Sequence, residues 1–173
     1  AGILRYAPEF CAVTNQHVNS YKRLVPGSGG PACLGWSRRN RGTVVRVPGY
    51  RPDSEAGCRI ELRSPDPAAN PYLAFAAMLA AGLKGIEDGL ELPAPVDDED
   101  FSRMTAQQLR ERGVPLLPQT LGEAVELLAG SELMRETLGE HIHGYLVAAK
   151  RREWDEYQRA VTPWELERNL AVL

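Results

Sequence analysis

The segment CRIELRSPDPAANPYLAF, Cys58 to Phe75, changes its periodicity halfway along. Its first half alternates: Arg59, Glu61 and Arg63 fall on one face of an extended chain, Ile60 and Leu62 on the other. Its second half is apolar and alanine-rich, and it opens with helix-start signals, Asn70 as cap and Pro71 in the first turn. The pattern predicts a strand over Cys58–Arg63 that feeds a helix running to about Glu87. Alternating charge on an exposed strand commonly means only solubility. Here the strand runs straight into a helix with Ala or Gly on nearly every face, so the charged face borders the interior.

Working outward, TVVRVPGY (43–50) predicts a second strand, with Arg46 facing away from Val45 and Val47. ACLGWS (32–37) predicts a third, and RRNRG between them a polar turn. RPDSEAG (51–57) reads as a loop. Pro26 to Pro31, PGSGGP, reads as a mobile loop. The first fourteen residues predict a short helix interrupted at Pro8. Downstream, Pro93 to Pro95 and the acidic DDED mark a surface excursion. From Thr120 the pattern is helical, in the runs LGEAVELLAG, SELMRETLG and EHIHGYLVAAKRREWDEYQRAV, and Thr162 caps a last helix, PWELERNL. The helix at 71–87 is expected to leave little surface exposed. The fold class expected is α+β, one domain over 1–173, strand-rich at 15–65 and helical at 70–173.

The net charge of −3 conceals an asymmetry. Up to position 63 there are ten bases, nine of them arginine, against four acids, so this part carries +6 and the remainder −9. Arginine grips carboxylates and phosphates with two-pronged geometry, and such a surface suits an anionic ligand or a nucleic acid. The three cysteines, Cys11, Cys33 and Cys58, are widely spaced with no C-x-x-C pair, which fits reduced thiols in a cytoplasmic protein. No apolar run is long enough to span a bilayer, so no membrane partner is expected. The opening AGILRYAPEFCAVTN lacks Met and reads as the middle of a longer protein.

Arginines gathered on adjacent strands repel one another unless they share an anion. A lone glutamate among them is placed to hold a divalent metal that bridges phosphate oxygens. The charged face is therefore read as the floor of an anion-binding cleft. A nucleic-acid module is the rival reading. It is disfavoured because the bases lie on strands and turns, beside a glutamate that repels phosphate. His141 and His143, two apart on a helix, point in different directions and do not share a metal. Trp36, Trp154 and Trp164 read as core or contact aromatics and Met78 as core filler. Arg38, Arg39 and Arg51 read as solvated.

NSYKRLVPG (19–27), WSRRNR (36–41), VRVP (45–48) and RIELRSPDPAANPYLAFAAMLAAGLKGI (59–86) together resemble the C-terminal half of a bacterial type I glutamine synthetase. The closing W-x-x-Y-x-x-x-V-T-P-W-E is similar to the actinobacterial branch that includes γ-glutamyl-amine and γ-glutamyl-polyamine ligases. The resemblance implies a curved antiparallel half-barrel sheet with outer helices, in a protein that assembles as stacked hexameric rings. It implies ATP-dependent ligation of glutamate to ammonia or an amine through γ-glutamyl phosphate, with Mg2+ or Mn2+. By motif, Glu61 resembles a metal ligand and, with Arg41, a catalytic residue. Arg23, Arg41 and Arg63 resemble the glutamate-binding arginines, and Arg41, Arg46 and Arg59 the nucleotide-phosphate contacts. Gly27, Gly29 and Gly30 fall in the flap loop.

The sequence departs from the family in three places. Gly29 stands where ammonia-using members carry a flap glutamate, which leaves two readings: a larger amine, or a feeble enzyme. The remaining metal-binding glutamates lie upstream of the residues present, as does the small domain that a neighbouring subunit lends to each site. The segment alone is therefore expected to be inactive, with apolar surface that the upstream half covers. Phe101 stands about where some members carry an adenylylated tyrosine, so that regulation is not expected. A catalytically dead, structural family member is the other rival, against which the retained arginines and Glu61 argue.

Overall fold

A computed structural model of the chain describes residues 1–49, 57–97, 101–170 and 172. Helix α1 (Gly2–Thr14) is followed by a 3-10 turn at Val18–Arg23 and by strands β1 (Cys33–Ser37), β2 (Thr43–Arg46) and β3 (Glu61–Leu62). Helices α2 (Pro71–Glu87), α3 (Ala106–Glu111), α4 (Leu121–Ala129), α5 (Glu132–Arg159) and α6 (Pro163–Asn169) complete the order. α1 packs against α2 and α4, and α5 lies against α4 and α2. Phe10, Val13, Leu24, Val44, Leu121, Val125, Leu128 and Met134 form the fully buried centre.

The fold is α+β in character, but its sheet is not uniformly antiparallel. β1 and β2 run parallel, and only β2 and β3 pair antiparallel, with Val45 opposite Leu62 and Arg46 opposite Glu61. The compact turn at 38–42 returns the chain alongside β1 in the same direction, which the sequence does not announce. β3 is also shorter than expected. With Arg63 N–H donating to Val44 O and Arg46 opposite Glu61, the next position of β2 that faces β3 is Pro48, which has no N–H to donate to Arg59. The expected loop at 51–57, apart from Gly57, and the tail of the second strand at Tyr50 lie outside the described residues, as does all of DDED except Asp97.

α1 runs through Pro8 without interruption. An internal proline costs a helix about 3 kcal/mol. Burial of Ala7, Phe10, Cys11, Ala12 and Val13 on the same helix offsets that cost. The helical runs SELMRETLG and EHIHGYLV join in one element, α5, kinked at Gly139, whose φ is 76° and ψ 153°. Asn70 Oδ1 caps α2 by accepting the N–H groups of Tyr72 (3.0 Å) and Leu73 (3.4 Å).

α2 is two-faced rather than wholly buried. Ala74, Ala77, Ala81 and Gly85 face the interior. Gly85 meets Gly2 so closely that a Cβ added to it would lie 2.4 Å from Gly2 Cα. The opposite face is open: Tyr72, Phe75 and Leu79 are 83%, 67% and 63% exposed, and Leu83 and Ile86 continue the stripe. Beside it, an apolar hollow of about 660 Å3 lies between the start of α1, the end of α2, Val45 and Ile60.

This packing generates two predictions. Gly85→Ala drives a methyl into the α1 backbone and lowers stability by roughly 1–3 kcal/mol, read as a drop in the thermal midpoint; an unchanged midpoint would mean that the helices do not touch there. Burial pushes the Cys11 thiol up to about 12 and the Cys33 thiol up to about 11, from an ordinary value near 9. The unfolded chain releases these protons first. Their contribution is complete below about pH 9 and lost as pH rises through 11 and 12. Urea midpoints should fall above pH 9, and less steeply in Cys11→Ala.

Candidate active site

Arg38, Arg39, Arg41, Arg46, Glu61 and Arg63 line one polar cleft of about 450 Å3. The β2–β3 pairing builds its floor. Placing Arg46 opposite Glu61 brings Arg46 Nη1 to 3.1 Å from Glu61 Oε2. Arg63 Nε lies 3.4 Å from Glu61 Oε1 on the other side. Arg63 also donates through Nη1 to the Arg41 carbonyl, which ties β3 to the arginine-bearing turn. Among the described residues, one lining carboxylate thus stands among five guanidiniums, of which Arg38 is paired with Asp97. Burial pulls Arg63 below its ordinary range, Glu61 pulls it back up, and Arg46, Arg41 and Arg23 push it down again. The guanidinium stays protonated, so the cleft keeps an excess of positive charge.

Arg23 stands behind this floor. Its guanidinium donates to the carbonyls of Arg63 (3.2 Å), Ser64 and Pro65 (3.2 Å), fixing the exit of β3. The Arg23 carbonyl in turn anchors the glycine loop. It accepts from Ser28 Oγ at 2.7 Å, and a Cβ at Gly30 would come within 1.9 Å of it. Gly30 is therefore confined to glycine by close approach. Gly27 and Gly29 have φ of 85° and 83°, a backbone shape that glycine adopts freely. An added Cβ at Gly29 would meet nothing within 4 Å.

Residues 1–169 match the model of the glutamine synthetase catalytic domain. The chain is 48% identical to glutamine synthetases of Methanosarcina mazei and Mycolicibacterium smegmatis, over 99% of its own length and 38% of theirs. A solved GmaS/ADP complex superposes with a TM-score of 0.79 at 35% identity, covering 98% of this chain and 38% of that one. The chain belongs to the glutamine synthetase family. Its fold is that of the family's catalytic domain, and it spans under two fifths of the length of these relatives.

Within this family fold, the residues singled out by sequence divide in two. Arg41, Arg46, Glu61 and Arg63 meet in the cleft. Arg59 is exposed and donates to Gly57 O at 3.3 Å, away from the cleft floor, because β3 begins only at Glu61. Arg38 and Arg39, read as solvated, are exposed, and they also border the cleft. The parallel turn that swings them there is a tertiary feature; the run of three arginines in WSRRNR is its only trace in the sequence. Arg51 lies outside the described residues. His143 is buried against Leu128 O at 2.9 Å and His141 is exposed, so the pair shares no ligand. Phe101 is buried with Cys33 and Leu109. Trp36 Nε1 donates to Pro93 O at 2.7 Å, and Trp154 covers Gly122.

The residues present do not by themselves make a divalent-cation site. A hard cation takes six or more oxygens. Among the described residues, Glu61 is the single carboxylate lining the cleft, and it already faces two guanidiniums. No cluster of three His, Cys, Asp or Glu side chains occurs among the described residues. The chemistry open to this chain alone is that of guanidiniums opposed by one carboxylate. Glu61→Gln removes the opposing charge, so inorganic phosphate should bind the cleft about 3- to 10-fold tighter at low salt, with the gain shrinking as salt is raised. Calorimetric titration reads this directly, and unchanged affinity would show that Glu61 does not oppose anions.

Proposed function

We propose that this chain forms the C-terminal part of the catalytic domain of an ATP-dependent ligase joining the γ-carboxylate of glutamate to ammonia or another amine. The observation that carries the reading is the cleft in which Arg41, Arg46 and Arg63 converge about Glu61. In the reaction, a γ-carboxylate oxygen attacks the terminal phosphorus of ATP, and ADP leaves. The amine nitrogen then attacks the γ-carbonyl carbon of the acyl phosphate, inorganic phosphate departs with the bonding pair, and the nitrogen gives up a proton. Both steps move negative charge over phosphoryl oxygens. Fixed guanidiniums stabilise that charge without reorganising. Arg46 takes the phosphate side, Arg63 the glutamate carboxylate, and Arg41 both.

By resemblance, Arg23 falls to glutamate and Arg59 to nucleotide phosphate. The three carbonyl bonds of Arg23 favour a supporting role, with its remaining donors left for the substrate. Glu61 would supply one oxygen to a Mg2+ or Mn2+ ion, which would offset phosphoryl charge, and the residues present would not complete such a site. Activity therefore requires the longer protein and its ring assembly, and this segment alone is inactive. The bound ADP of the solved GmaS relative supports a nucleotide in this fold.

Gly29 favours an amine larger than ammonia. A loop without a carboxylate or side chain at its tip leaves the mouth open and supplies no base for ammonium. Phosphate release by the full-length protein from ATP and glutamate, with ammonia, ethanolamine, putrescine or spermine, tests both levels. Turnover with a polyamine or ethanolamine above ammonia supports the amine reading. Preference for ammonia overturns it and leaves the ligase intact, and no amine-dependent release with any of the four overturns the ligase. Gly29→Glu has room for its side chain but strains a φ of 83°, at a cost of about 1–2 kcal/mol in the loop. It should shift the ratio of kcat/KM toward ammonia.

A further inference from the structure

The turn from Ser37 to Thr43 carries three of the cleft's guanidiniums on four consecutive residues, and like charges so close repel. Its shape is held by a group from a distant loop. Asp97 Oδ1 accepts from Ser37 Oγ at 2.9 Å and from Arg38 N at 2.7 Å, and Oδ2 accepts from Arg38 Nη1 at 2.7 Å. Ser37 is fully buried, and its hydroxyl oxygen accepts from Arg39 N at 2.9 Å and Asn40 N at 2.6 Å. A hydroxyl has one donor and two acceptor sites, and all three are used here. The network continues from Asn40 Oδ1 to Gly42 N at 2.9 Å, and Thr43 Oγ1 donates to Asn40 O at 3.1 Å. The loop bearing Asp97 is itself fixed to β1, where Val96 N donates to Trp36 O at 2.9 Å. Trp36 lies under the Arg38 guanidinium, 5.2 Å from it.

We propose that Asp97 is a positioning residue of the arginine cleft. It orients the Ser37 hydroxyl so that the N–H groups of residues 38 to 40 are all satisfied, and this sets Arg39 and Arg41 against Arg46, Glu61 and Arg63. The carboxylate is ionised in this arrangement, because the Arg38 backbone N–H, followed by Ser37 and the Arg38 side chain, holds it below the usual carboxylate range against the opposing effect of burial. Asp97 need not touch a substrate. It acts through the turn. This role rests on the reading of the cleft as the ligase site.

The test compares Asp97→Ala with Asp97→Asn in the full-length protein. Asparagine keeps an oxygen for Ser37 Oγ and Arg38 N, whereas alanine keeps nothing. Asp97→Ala should lower kcat about 10- to 100-fold with the amine KM within about threefold, and Asp97→Asn should recover most of that loss. The same variants are titrated with inorganic phosphate, for which Asp97→Ala should bind about tenfold more weakly, with a thermal midpoint close to wild type. A kcat within about twofold of wild type, equal losses in the two variants, or unchanged phosphate affinity overturns the role of Asp97. If the wild-type protein shows no amine-dependent phosphate release, the ligase reading falls, and the phosphate affinities alone still decide whether Asp97 holds the cleft.

Discussion

Glu61 sits between Arg46 and Arg63, at 3.1 Å and 3.4 Å, and the arrangement of the charged half of the chain follows from that contact. Guanidiniums brought to one place raise one another's free energy unless an anion stands among them. The β2–β3 pairing supplies that anion at the one register that sets Arg46 opposite Glu61. A shift of one residue would turn Glu61 away and leave the arginines unopposed. Among the described residues compensation is incomplete, since Glu61 is the one carboxylate lining the cleft against five guanidiniums and Asp97 pairs only Arg38 at its edge, and the excess positive charge makes the cleft receptive to phosphate and carboxylate groups.

Around this cleft, backbone groups are fixed from behind. Arg23 uses its guanidinium on three successive carbonyls where β3 ends, and its own carbonyl is the post to which the glycine loop is tied. Asp97 and Ser37 do the same for the turn on the other wall. Of the charged side chains that face the cleft, Arg38, Arg39 and Arg41 are carried by the turn, Arg46 and Glu61 by the paired strands, and Arg63 directly follows β3. A three-stranded sheet of this size contributes little core of its own. The helices supply it, through the close approach of α1 and α2 at Gly2 and Gly85 and the burial of α4 between its neighbours.

One side of α2 is an exposed apolar stripe. Tyr72, Phe75, Leu79, Leu83 and Ile86 recur at spacings of three and four, which puts them along one side of the helix. Relatives in the family are more than twice as long as this chain.

Much of this is legible in the local code. Alternation in RIELR, the Asn-Pro start of α2 and the caps at Thr120 and Thr162 are all short-range effects, set by φ/ψ preference and by hydrogen bonds within a few residues. The motifs about Arg41, Arg46, Glu61 and Arg63 identify the family because their order along the chain is specific. Three things were decided only by tertiary structure. β1 and β2 run parallel, joined by Cys33 N–H donating to Gly42 O and Val47 N–H donating to Ser37 O, and strand direction is a relation between two segments that neither segment's residues encode. α1 passes through Pro8 because packing on both sides outweighs a local penalty. Arg38 and Arg39 border the cleft because the turn between β1 and β2 carries them there, and Arg59 does not because it precedes β3, which begins only at Glu61; both placements depend on neighbouring segments rather than on the residues themselves.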